Sequence, residues 1–286
     1  MTLPDITSKR DVRDLVRAAL REDMGQGDVT SETLVAAKTT AKAFIVSRAS
    51  TVLAGVRLAS YVFKCLDPRM DIRALKSDSQ RAQAGEKILL IEGNARDILA
   101  AERVALNFLQ RMSGIATLTR RFVEAAGPRV RILDTRKTTP TLRTIEKYAV
   151  RCGGGKNHRM GLFDMVLVKD NHRAIWKKQG KGGLAGAVEA LRRRHPGLLV
   201  EVEIEKMDEL NDVVRAHPDW ILADNRTPAQ LRTIVQRCSG HCKIEASGGI
   251  TLRNVAKIAA TGVDAISIGA LTHSVPAADF SLEFEV

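Results

Sequence analysis

Short apolar runs alternate with amphipathic helical segments from about residue 130 onward, and this alternation leaves few folds open to the chain. The apolar runs are residues 130–133, 165–168, 199–202, 220–222, 244–246 and 265–268. The helical segments lie near residues 141–151, 183–194, 206–216, 228–238 and 252–261. Because parallel strands need a long crossover between them, repeated strand–helix units predict a parallel sheet with right-handed connections.

A polar residue or a glycine follows each predicted strand at its carboxyl end. These residues are Asp134, Lys169, Glu203, Asp224, Ser247 and Gly269. In a barrel all carboxyl ends meet at one mouth, where active sites lie, whereas an open sheet concentrates its chemistry at one switch point. The polar ends therefore favour an α/β barrel, and the strand count predicts an incomplete one with about six or seven strands.

The first part of the chain has a different pattern. Residues 9–22 and a segment that begins at Asn94 have the apolar spacing of helices, while residues 41–48 and 86–92 alternate as strands do. This mixture predicts a separate N-terminal α+β domain ahead of the barrel. The predicted division is residues 1–112, residues 113–274 and a tail, residues 275–286, that returns to the first domain.

Composition narrows the class of partner. The 45 lysines and arginines exceed the 33 acidic residues, and the net charge of +12 favours nucleic acid, a membrane surface or a small acidic substrate. Aromatic residues make up only 4%, which argues against a base-stacking surface, and no apolar stretch is long enough to span a bilayer. The chain shows no signal peptide and no disulfide or zinc spacing. We expect a cytoplasmic protein that binds neither nucleic acid nor a membrane.

Two glycine-containing loops follow the last predicted strands. The first contains Ser247, Gly248 and Gly249, and the second runs from Gly269 to His273. Glycines let backbone N–H groups approach a phosphate, and in α/β barrels the loops after the last strands often form a phosphate site. The pair of loops therefore predicts a phosphate-binding site.

Cationic residues gather at the same predicted mouth. Arg136 and Lys137 follow one strand, His158 and Arg159 precede the next, and Lys169 follows it. Guanidinium groups bind carboxylates bidentately, and a lysine adds a compact charge. We predict a pocket for a small ligand with more than one negative group. A Schiff-base role for Lys137 or Lys169 stays open at this stage.

Two carboxylates, Glu203 and Asp224, end neighbouring predicted strands and should point into the mouth. Such groups can bind sugar hydroxyls, hold Mg²⁺ through water, or stabilise a cationic transition state. Together with the phosphate loops and the cations, they fit a phosphorylated sugar beside an acidic second substrate.

Several segments resemble one known family. They are REDMGQGDVT at 21–30, AERVALNFLQRMSGIAT at 101–117, DTRKTTPTLR at 134–143, EKYAVRCGGGKNHRMGLFDMVLVKDNH at 146–172, EVEIEKMDEL at 201–210, ILADN at 221–225, EASGGI at 245–250 and SIGALTHS at 267–274. In order and in content they are similar to those of the quinolinate phosphoribosyltransferases, also called carboxylating nicotinate-nucleotide pyrophosphorylases. The resemblance spans nearly the whole chain.

The resemblance implies a fold, an assembly and a reaction. It implies an N-terminal α/β sandwich domain, an incomplete α/β barrel and a head-to-tail homodimer. The family converts quinolinate and 5-phosphoribosyl-1-pyrophosphate into nicotinate mononucleotide, pyrophosphate and CO₂ with Mg²⁺, a step of NAD synthesis. A related enzyme with another acceptor, like those found with molybdate transport, is the alternative. The EKYAV and KDNH segments favour the quinolinate enzyme.

The resemblance also implies roles for individual residues. Quinolinate would meet Arg136, His158, Arg159 and Lys169, with Arg103 supplied by the second subunit. The catalytic residues would be Lys137 on the pyrophosphate side and Glu203 and Asp224 at the ribose and Mg²⁺. The 5′-phosphate would be surrounded by Ser247, Gly248, Gly249, Gly269 and His273.

The chain departs from the family pattern at three places. Thr141 stands where a glycine commonly follows the proline of the DTRKTTP segment, and Lys156 stands where a small or polar residue is common. A basic stretch, residues 176–181, follows the DNH motif. These departures bear on loop geometry and affinity, while the expected reaction stays the same.

Overall fold

The computed structural model describes residues 3–285. Its α-helices are α1 (Arg10–Met24), α2 (Val29–Leu34), α3 (Val56–Leu66), α4 (Ala95–Ala126), α5 (Arg143–Cys152), α6 (Asp170–Lys178), α7 (Leu184–Arg194), α8 (Leu210–Arg215), α9 (Pro228–Cys238), α10 (Val255–Ala259) and α11 (Ala270–His273). Its strands are β1 (Thr40–Ser47), β2 (Thr51–Val52), β3 (Asp71–Ala74), β4 (Arg81–Ala82), β5 (Lys87–Asn94), β6 (Arg131–Leu133), β7 (Val166–Val168), β8 (Val200–Ile204), β9 (Trp220–Asp224), β10 (Lys243–Ser247), β11 (Ala265–Ser267) and β12 (Phe280–Glu285). Short 3-10 helices lie at Ile6–Ser8 and Met207–Glu209.

Strands β6 to β11 form a parallel sheet in the order β6-β11-β10-β9-β8-β7. Chain neighbours from β7 to β11 are also sheet neighbours, and β11 then pairs with β6. The order is therefore that of a barrel with one missing pairing, between β6 and β7, among the residues described. The predicted α/β class with an incomplete barrel is confirmed.

The strands at the centre of this sheet are buried because helices cover it. All five residues of β8 are buried, and so are the middle residues of β9 and β10. Burial on both faces explains why these segments appear in the sequence as apolar runs. It also means that a charged side chain within one of them, such as Glu201, lies inside the protein.

By its internal packing the chain divides into two compact units. The second unit comprises Arg121–Lys137 and Gly155–Ala270 and contains the six-stranded sheet. The first runs to Arg120 and also contains Thr138–Gly154 and the segment from Leu271 onward. The predicted domain boundary at residue 112 lies inside α4. The boundary between the two units, after Arg120, also lies inside this helix.

The first unit contains an antiparallel sheet in the order β12-β1-β5-β3. Its edge strand β12 comes from the C-terminal tail and pairs with β1, for example Ile45 with Leu282. Helix α1 buries Val12, Val16 and Leu20, the residues of its apolar stripe. This spacing of four residues places them on one face, as the sequence predicts.

Helices α3 and α6 were not predicted from the sequence. In α3 the buried residues include both Leu58 and Ala59 and both Val62 and Phe63, so the apolar face is too wide to show a simple helical period. Helix α6 buries none of its residues, so it has no apolar stripe to find. Among the described residues, no helix combines the length and the apolar character needed to cross a membrane.

Candidate active site

A cavity of about 400 Å³ lies at the carboxyl ends of the strands of the parallel sheet, within the second unit. It brings together eight of the predicted site residues: Arg136, Lys137, His158, Arg159, Lys169, Glu203, Asp224 and Ser247. Its remaining lining residues are Thr135, Leu167, Leu222, Glu245 and Ser267. Most of these side chains stand at strand ends because parallel strands deliver their carboxyl ends to the same edge. The cavity therefore joins the predicted cations and carboxylates.

Two guanidinium groups share one wall of this cavity. Burial holds the pKa of Arg159 below its usual value, and the positive charge of Arg136 lowers that pKa further. The negative charges of Glu201 and Asp164 act in the opposite direction. An anion bound between the guanidinium groups would relieve their repulsion, which is the electrostatic condition for an acidic ligand.

Lys169 and Glu203 form an ion pair at the cavity, with 3.3 Å between Nζ and Oε2. The lysine side chain is 48% exposed and the glutamate side chain 11% exposed, so the lysine can still meet a ligand. Backbone geometry fixes the position of Lys169, because its N–H donates to Nδ1 of His172 at the start of α6. This local capping places the ammonium group at the end of β7.

Asp224 is held at the end of β9 by the residue that follows it. The side-chain amide of Asn225 donates to Oδ2 of Asp224 at 2.7 Å. Asn225 has a φ of 53°, and its own backbone N–H donates to the carbonyl of Ser247 at 2.8 Å. The turn after β9 is thus tied to the glycine loop after β10.

The glycine loop at residues 247–249 needs glycine at its middle position. Gly248 has a φ of 86°, and a Cβ there would lie 2.2 Å from Oδ1 of Asn225. Gly249 has a φ of 61°, but a Cβ there would meet no atom within 4 Å. The side chain of Asn254 donates to the carbonyl of Gly249 at 2.9 Å and accepts the N–H of Thr251 at 2.7 Å. The loop is therefore a well-fixed turn.

The helix after this loop begins later than predicted. The segment near residues 252–261 was expected to be helical, whereas α10 starts at Val255 because the Asn254 side chain closes a turn with Thr251. The glycines therefore stand several residues ahead of the helix. Any phosphate affinity of this loop comes from its own backbone N–H groups and from Ser247, and the helix dipole contributes little at that distance.

The other predicted site residues do not line the cavity. Gly248 and Gly249 form the loop next to Ser247, and Gly269 follows β11 in the second unit. Arg103 lies in α4 and His273 ends α11, and both belong to the first unit. Arg103 is largely exposed and lies 3.8 Å from Glu102, and Nδ1 of His273 lies 2.5 Å from the hydroxyl of Ser274. The roles of Arg103 and His273 stay predictions.

Thr141, which the sequence analysis singled out as a departure from the family pattern, has a φ of 68°. A threonine in this left-handed region is strained, because its branched Cβ crowds the following carbonyl. The surrounding turn is held by buried Glu146, which accepts the N–H of Thr139 at 3.1 Å and binds Arg111 at 2.7 Å. The turn at Thr141 therefore has a conformation that glycine adopts without strain.

Two buried glutamates belong to the site region although the sequence analysis did not single them out. Oε2 of Glu201 lies 3.0 Å and Oε2 of Glu245 lies 3.5 Å from Nε2 of His158. A signal for both was present in the sequence. Glu201 stands two residues before Glu203 on β8, and Glu245 stands two residues before Ser247 on β10. Because side chains alternate along a strand, these pairs share a face.

Comparisons with known proteins agree along nearly the whole chain. Residues 28–113 match the family model "Quinolinate phosphoribosyl transferase, N-terminal domain", and residues 115–283 match the model of its C-terminal domain. A Mycobacterium leprae protein named "Nicotinate-nucleotide pyrophosphorylase [carboxylating]" is 41% identical over 278 residues, which cover 95% of this chain and 96% of that protein. A chloroplastic protein of the same name from Arabidopsis thaliana is 40% identical over 96% of this chain and 83% of its own length.

Solved structures give the same result. The nicotinate-nucleotide pyrophosphorylase from Francisella tularensis has a TM-score of 0.91 to this chain and is 39% identical, covering 99% of this chain and 100% of its own. NadC from Streptococcus pyogenes has a TM-score of 0.92 and 35% identity, with both chains covered completely at 100%. The similarity therefore extends over both units of the fold.

Proposed function

The chain belongs to the quinolinate phosphoribosyltransferase family, and on that premise we propose that it transfers the phosphoribosyl group of 5-phosphoribosyl-1-pyrophosphate to quinolinate with loss of CO₂. The products are nicotinate mononucleotide and pyrophosphate, in the synthesis of NAD. The observation that carries this proposal is the cavity at the strand ends, which places arginines, lysines and two carboxylates around one space.

The cations of the cavity bind the acidic substrate. Arg136 and Arg159 suit the two carboxylates of quinolinate, because a guanidinium group can bind a carboxylate with two parallel hydrogen bonds. Burial lowers the pKa of Arg159, and the positive charge of Arg136 lowers it further, so the two guanidinium groups repel each other. Lys169 adds a third cation at the mouth, where its partner is Glu203. When quinolinate binds, the repulsion between these cations is offset by the attraction of each cation to the dianion.

Lys137, Glu203 and Asp224 act on the phosphoribosyl donor. The C1–O bond to pyrophosphate breaks as the ring nitrogen of quinolinate forms its bond to C1, so positive charge develops on the ribose. Glu203 and Asp224 stabilise that charge electrostatically and bind the ribose hydroxyls. Lys137 faces the negative charge that gathers on the leaving pyrophosphate.

Mg²⁺ is part of this proposal. Glu203 and Asp224 fit it, because Mg²⁺ is commonly held by one or two carboxylates together with substrate phosphates, and both carboxylates line the same cavity. The ion would supply charge neutralisation on the pyrophosphate. The turn after β9 supports this use of Asp224, since Asn225 fixes one carboxylate oxygen and leaves the other to a ligand.

Loss of CO₂ follows from the charge on the ring. After the transfer, the ring nitrogen is cationic, and the bond between C2 and its carboxylate breaks. The electron pair stays on C2 beside the cationic nitrogen, CO₂ leaves, and C2 takes up a proton. The ring nitrogen has no proton to lose in the first step, so the chain needs no general base there. Its contribution is to hold the two substrates in line.

The 5′-phosphate belongs at the glycine loops. Ser247, Gly248 and Gly249 offer a hydroxyl and backbone N–H groups at the end of β10, and the tight fit of Gly248 against Asn225 keeps that turn in place. Gly269 stands at the end of the neighbouring strand β11. His273 belongs to the first unit, and its expected role at the phosphate stays a prediction.

We also propose a homodimer in which Arg103 of one subunit reaches the quinolinate site of the other. Large apolar side chains on the second unit support a partner surface, because Leu162 is 77% exposed and Phe163 76% exposed. Strand β7 beside them is an edge of the parallel sheet. The cytoplasmic location expected from the composition stays a prediction.

A product assay tests the proposed reaction. Purified protein, Mg²⁺ and 5-phosphoribosyl-1-pyrophosphate are mixed with either quinolinate or nicotinate, and the nucleotide product is quantified. We expect nicotinate mononucleotide from quinolinate and none from nicotinate. Absence of product from folded, dimeric protein would overturn the proposal and favour the related enzymes that use another acceptor.

A further inference from the structure

Two cysteines of the second unit meet between α9 and β10. Helix α9 ends at Cys238, and Cys242 directly precedes the first residue of β10. Cys238 is 1% exposed and Cys242 is partly exposed, and both are free thiols. The thiol of Cys242 donates a hydrogen bond to the sulfur of Cys238. We call these two residues the cysteine pair.

A tight turn brings the cysteine pair together. The N–H of His241 donates to the carbonyl of Cys238 at 2.9 Å, and the angles of Ser239 (φ −53°, ψ 123°) and Gly240 (φ 78°) are those of a type II turn. The N–H of Cys242 donates to the same carbonyl at 3.4 Å. Residues joined by such a bond have Cα atoms about 6 Å apart, a separation that disulfides bridge. The backbone is therefore already suited to an S–S bond.

The hydrogen bond between the two thiols also favours ionisation of the pair. It lowers the pKa of Cys238, although burial acts in the opposite direction. The same bond raises the pKa of Cys242, and burial and the negative charge of Asp264 raise it further. The pair therefore gives up its first proton readily and holds the second proton between the two sulfurs. A thiolate beside a thiol is the reactive arrangement in disulfide chemistry.

The other two cysteines lie in the first unit and have different surroundings. Cys152 is completely buried, and its burial and the negative charge of Asp78 raise its pKa. Cys65 is partly exposed and is hydrogen-bonded to Tyr61. A tyrosine hydroxyl cannot close a disulfide with an oxidised sulfur. The cysteine pair is therefore the place where two-electron oxidation has a second thiol waiting.

We propose that Cys238 and Cys242 form a reversible disulfide when a small peroxide, such as hydrogen peroxide, oxidises the protein. The thiolate sulfur of the pair attacks one peroxide oxygen, the O–O bond breaks, and the hydroxide that leaves takes up a proton to give water. The second sulfur then attacks the sulfenic acid, so that the S–S bond forms and the S–O bond breaks. The hydroxide released takes the proton of the second thiol. Two thiols lose two electrons, and the peroxide gains them as it becomes two waters.

The disulfide protects the sulfur atoms that it joins. A sulfenic acid without a thiol partner is oxidised further to sulfinic and sulfonic acids, which ordinary thiols do not reduce. Closure of the cysteine pair stops oxidation at a stage that thiol–disulfide exchange reverses. The pair precedes β10, whereas the residues of β10 that line the cavity are Glu245 and Ser247, further along the strand. The protection is therefore separate from the reaction proposed above.

Mass spectrometry of the full-length protein tests the disulfide directly. The protein is treated with excess hydrogen peroxide over a time course, and the remaining thiols are alkylated in denaturant. Trypsin then releases residues 238–243 as one peptide, because Arg237 precedes them and Lys243 ends them. We expect this peptide to lose two hydrogens and to escape alkylation before Cys65 or Cys152 gains oxygen. Dithiothreitol should restore both alkylation sites.

Two results of this experiment would overturn the proposal. The first is a peptide of residues 238–243 that still carries two alkyl groups when Cys65 or Cys152 is already oxidised. The second is a disulfide between two chains, which a gel without reductant shows as a cross-linked dimer. Neither readout needs quinolinate or the phosphoribosyl donor, so the proposed reaction and this proposal fail separately.

Single substitutions test the protection. In Cys238→Ser, excess peroxide should carry Cys242 to acids that dithiothreitol does not reduce, whereas in the unaltered protein Cys242 should be recovered as a thiol. Cys238→Ala repeats the test without a buried hydroxyl group. Cys65→Ser is the matched control, because it removes a partly exposed cysteine of the first unit and should leave the disulfide yield unchanged. Equal irreversible oxidation of Cys242 in the unaltered protein and in Cys238→Ser would contradict the protective role.

Discussion

Nζ of Lys169 lies 3.3 Å from Oε2 of Glu203, so the lysine proposed for quinolinate and the carboxylate proposed for the ribose form an ion pair. The pair joins the ends of two neighbouring strands, β7 and β8. In the proposed reaction, substrates that enter the cavity would exchange this contact for contacts of their own. The pair therefore keeps both side chains in place at the boundary between the acidic substrate and the sugar.

Glu203→Gln should affect catalysis more than quinolinate binding. The variant loses a negative charge that faces the cationic ribose in the transition state, so kcat should fall about 100-fold or more. Lys169 keeps its charge, and the KM for quinolinate should change less than about threefold. Steady-state kinetics measure this, with Glu205→Gln as the control because Glu205 is exposed and directly follows β8. A normal kcat would remove Glu203 from the catalytic residues.

Gly248→Ala and Gly249→Ala form a matched pair. A Cβ at Gly248 would lie 2.2 Å from Oδ1 and 2.9 Å from the backbone N of Asn225, so the turn must move. We expect a loss of about 2 kcal/mol or more in unfolding free energy and a higher KM for the phosphoribosyl donor. Gly249→Ala meets no atom and should cost about 1 kcal/mol from its positive φ alone. Equal losses in denaturant melts would contradict this account.

Thr141→Gly should stabilise the protein. The left-handed conformation costs a non-glycine residue about 1–2 kcal/mol, and the greater freedom of glycine in the unfolded chain offsets about 0.5–1 kcal/mol of that gain. A net gain of up to about 1.5 kcal/mol corresponds to a rise in Tm of up to about 3 °C for a chain of this size. Thr139→Gly is the control and should lower Tm, since Thr139 is not among the residues with positive φ.

Glu245 should make the folded state less stable as pH rises. Its pKa is about 8 in the folded protein and near 4.5 when exposed, so the folded state binds the proton more tightly. The stabilisation that comes from this bound proton is fully present below about pH 4.5 and is lost between that value and about pH 8. Over this range the free energy of unfolding falls by about 1.4 kcal/mol per pH unit. Glu245→Gln should remove this slope. Urea melts measure the free energy of unfolding of both proteins at a series of pH values. If this free energy falls equally with pH in both, Glu245 does not titrate in this way.

The sequence was sufficient for the barrel and for much of its mouth, because both depend on local patterns. Asp224 and Ser247 were predicted as site residues simply because each ends an apolar run, and parallel strands carry such ends to one edge. Glu201 and Glu245 were missed because buried carboxylates are rare and these stand inside the runs. The period of two along each strand would have placed both on the site face.

Other features depend on contacts that the helical or strand period of the sequence does not show. The start of α10 at Val255 follows from the side chain of Asn254 closing a turn, and helical spacing alone could not show it. The sequence predicts that the tail returns to the first domain, but it does not show that β12 pairs with β1. The proposed role of Arg103 depends on a second subunit, so only family resemblance could suggest it.

The most direct test of the central claim follows the two carboxyl groups of quinolinate through the reaction. Quinolinate labelled in the carboxyl at position 2 and quinolinate labelled at position 3 are each supplied with Mg²⁺ and 5-phosphoribosyl-1-pyrophosphate. The account predicts that the label from position 2 appears as CO₂ in a one-to-one ratio with nicotinate mononucleotide, while the label from position 3 stays in the nucleotide. Nucleotide formed without CO₂, or CO₂ released without the phosphoribosyl donor, would contradict it.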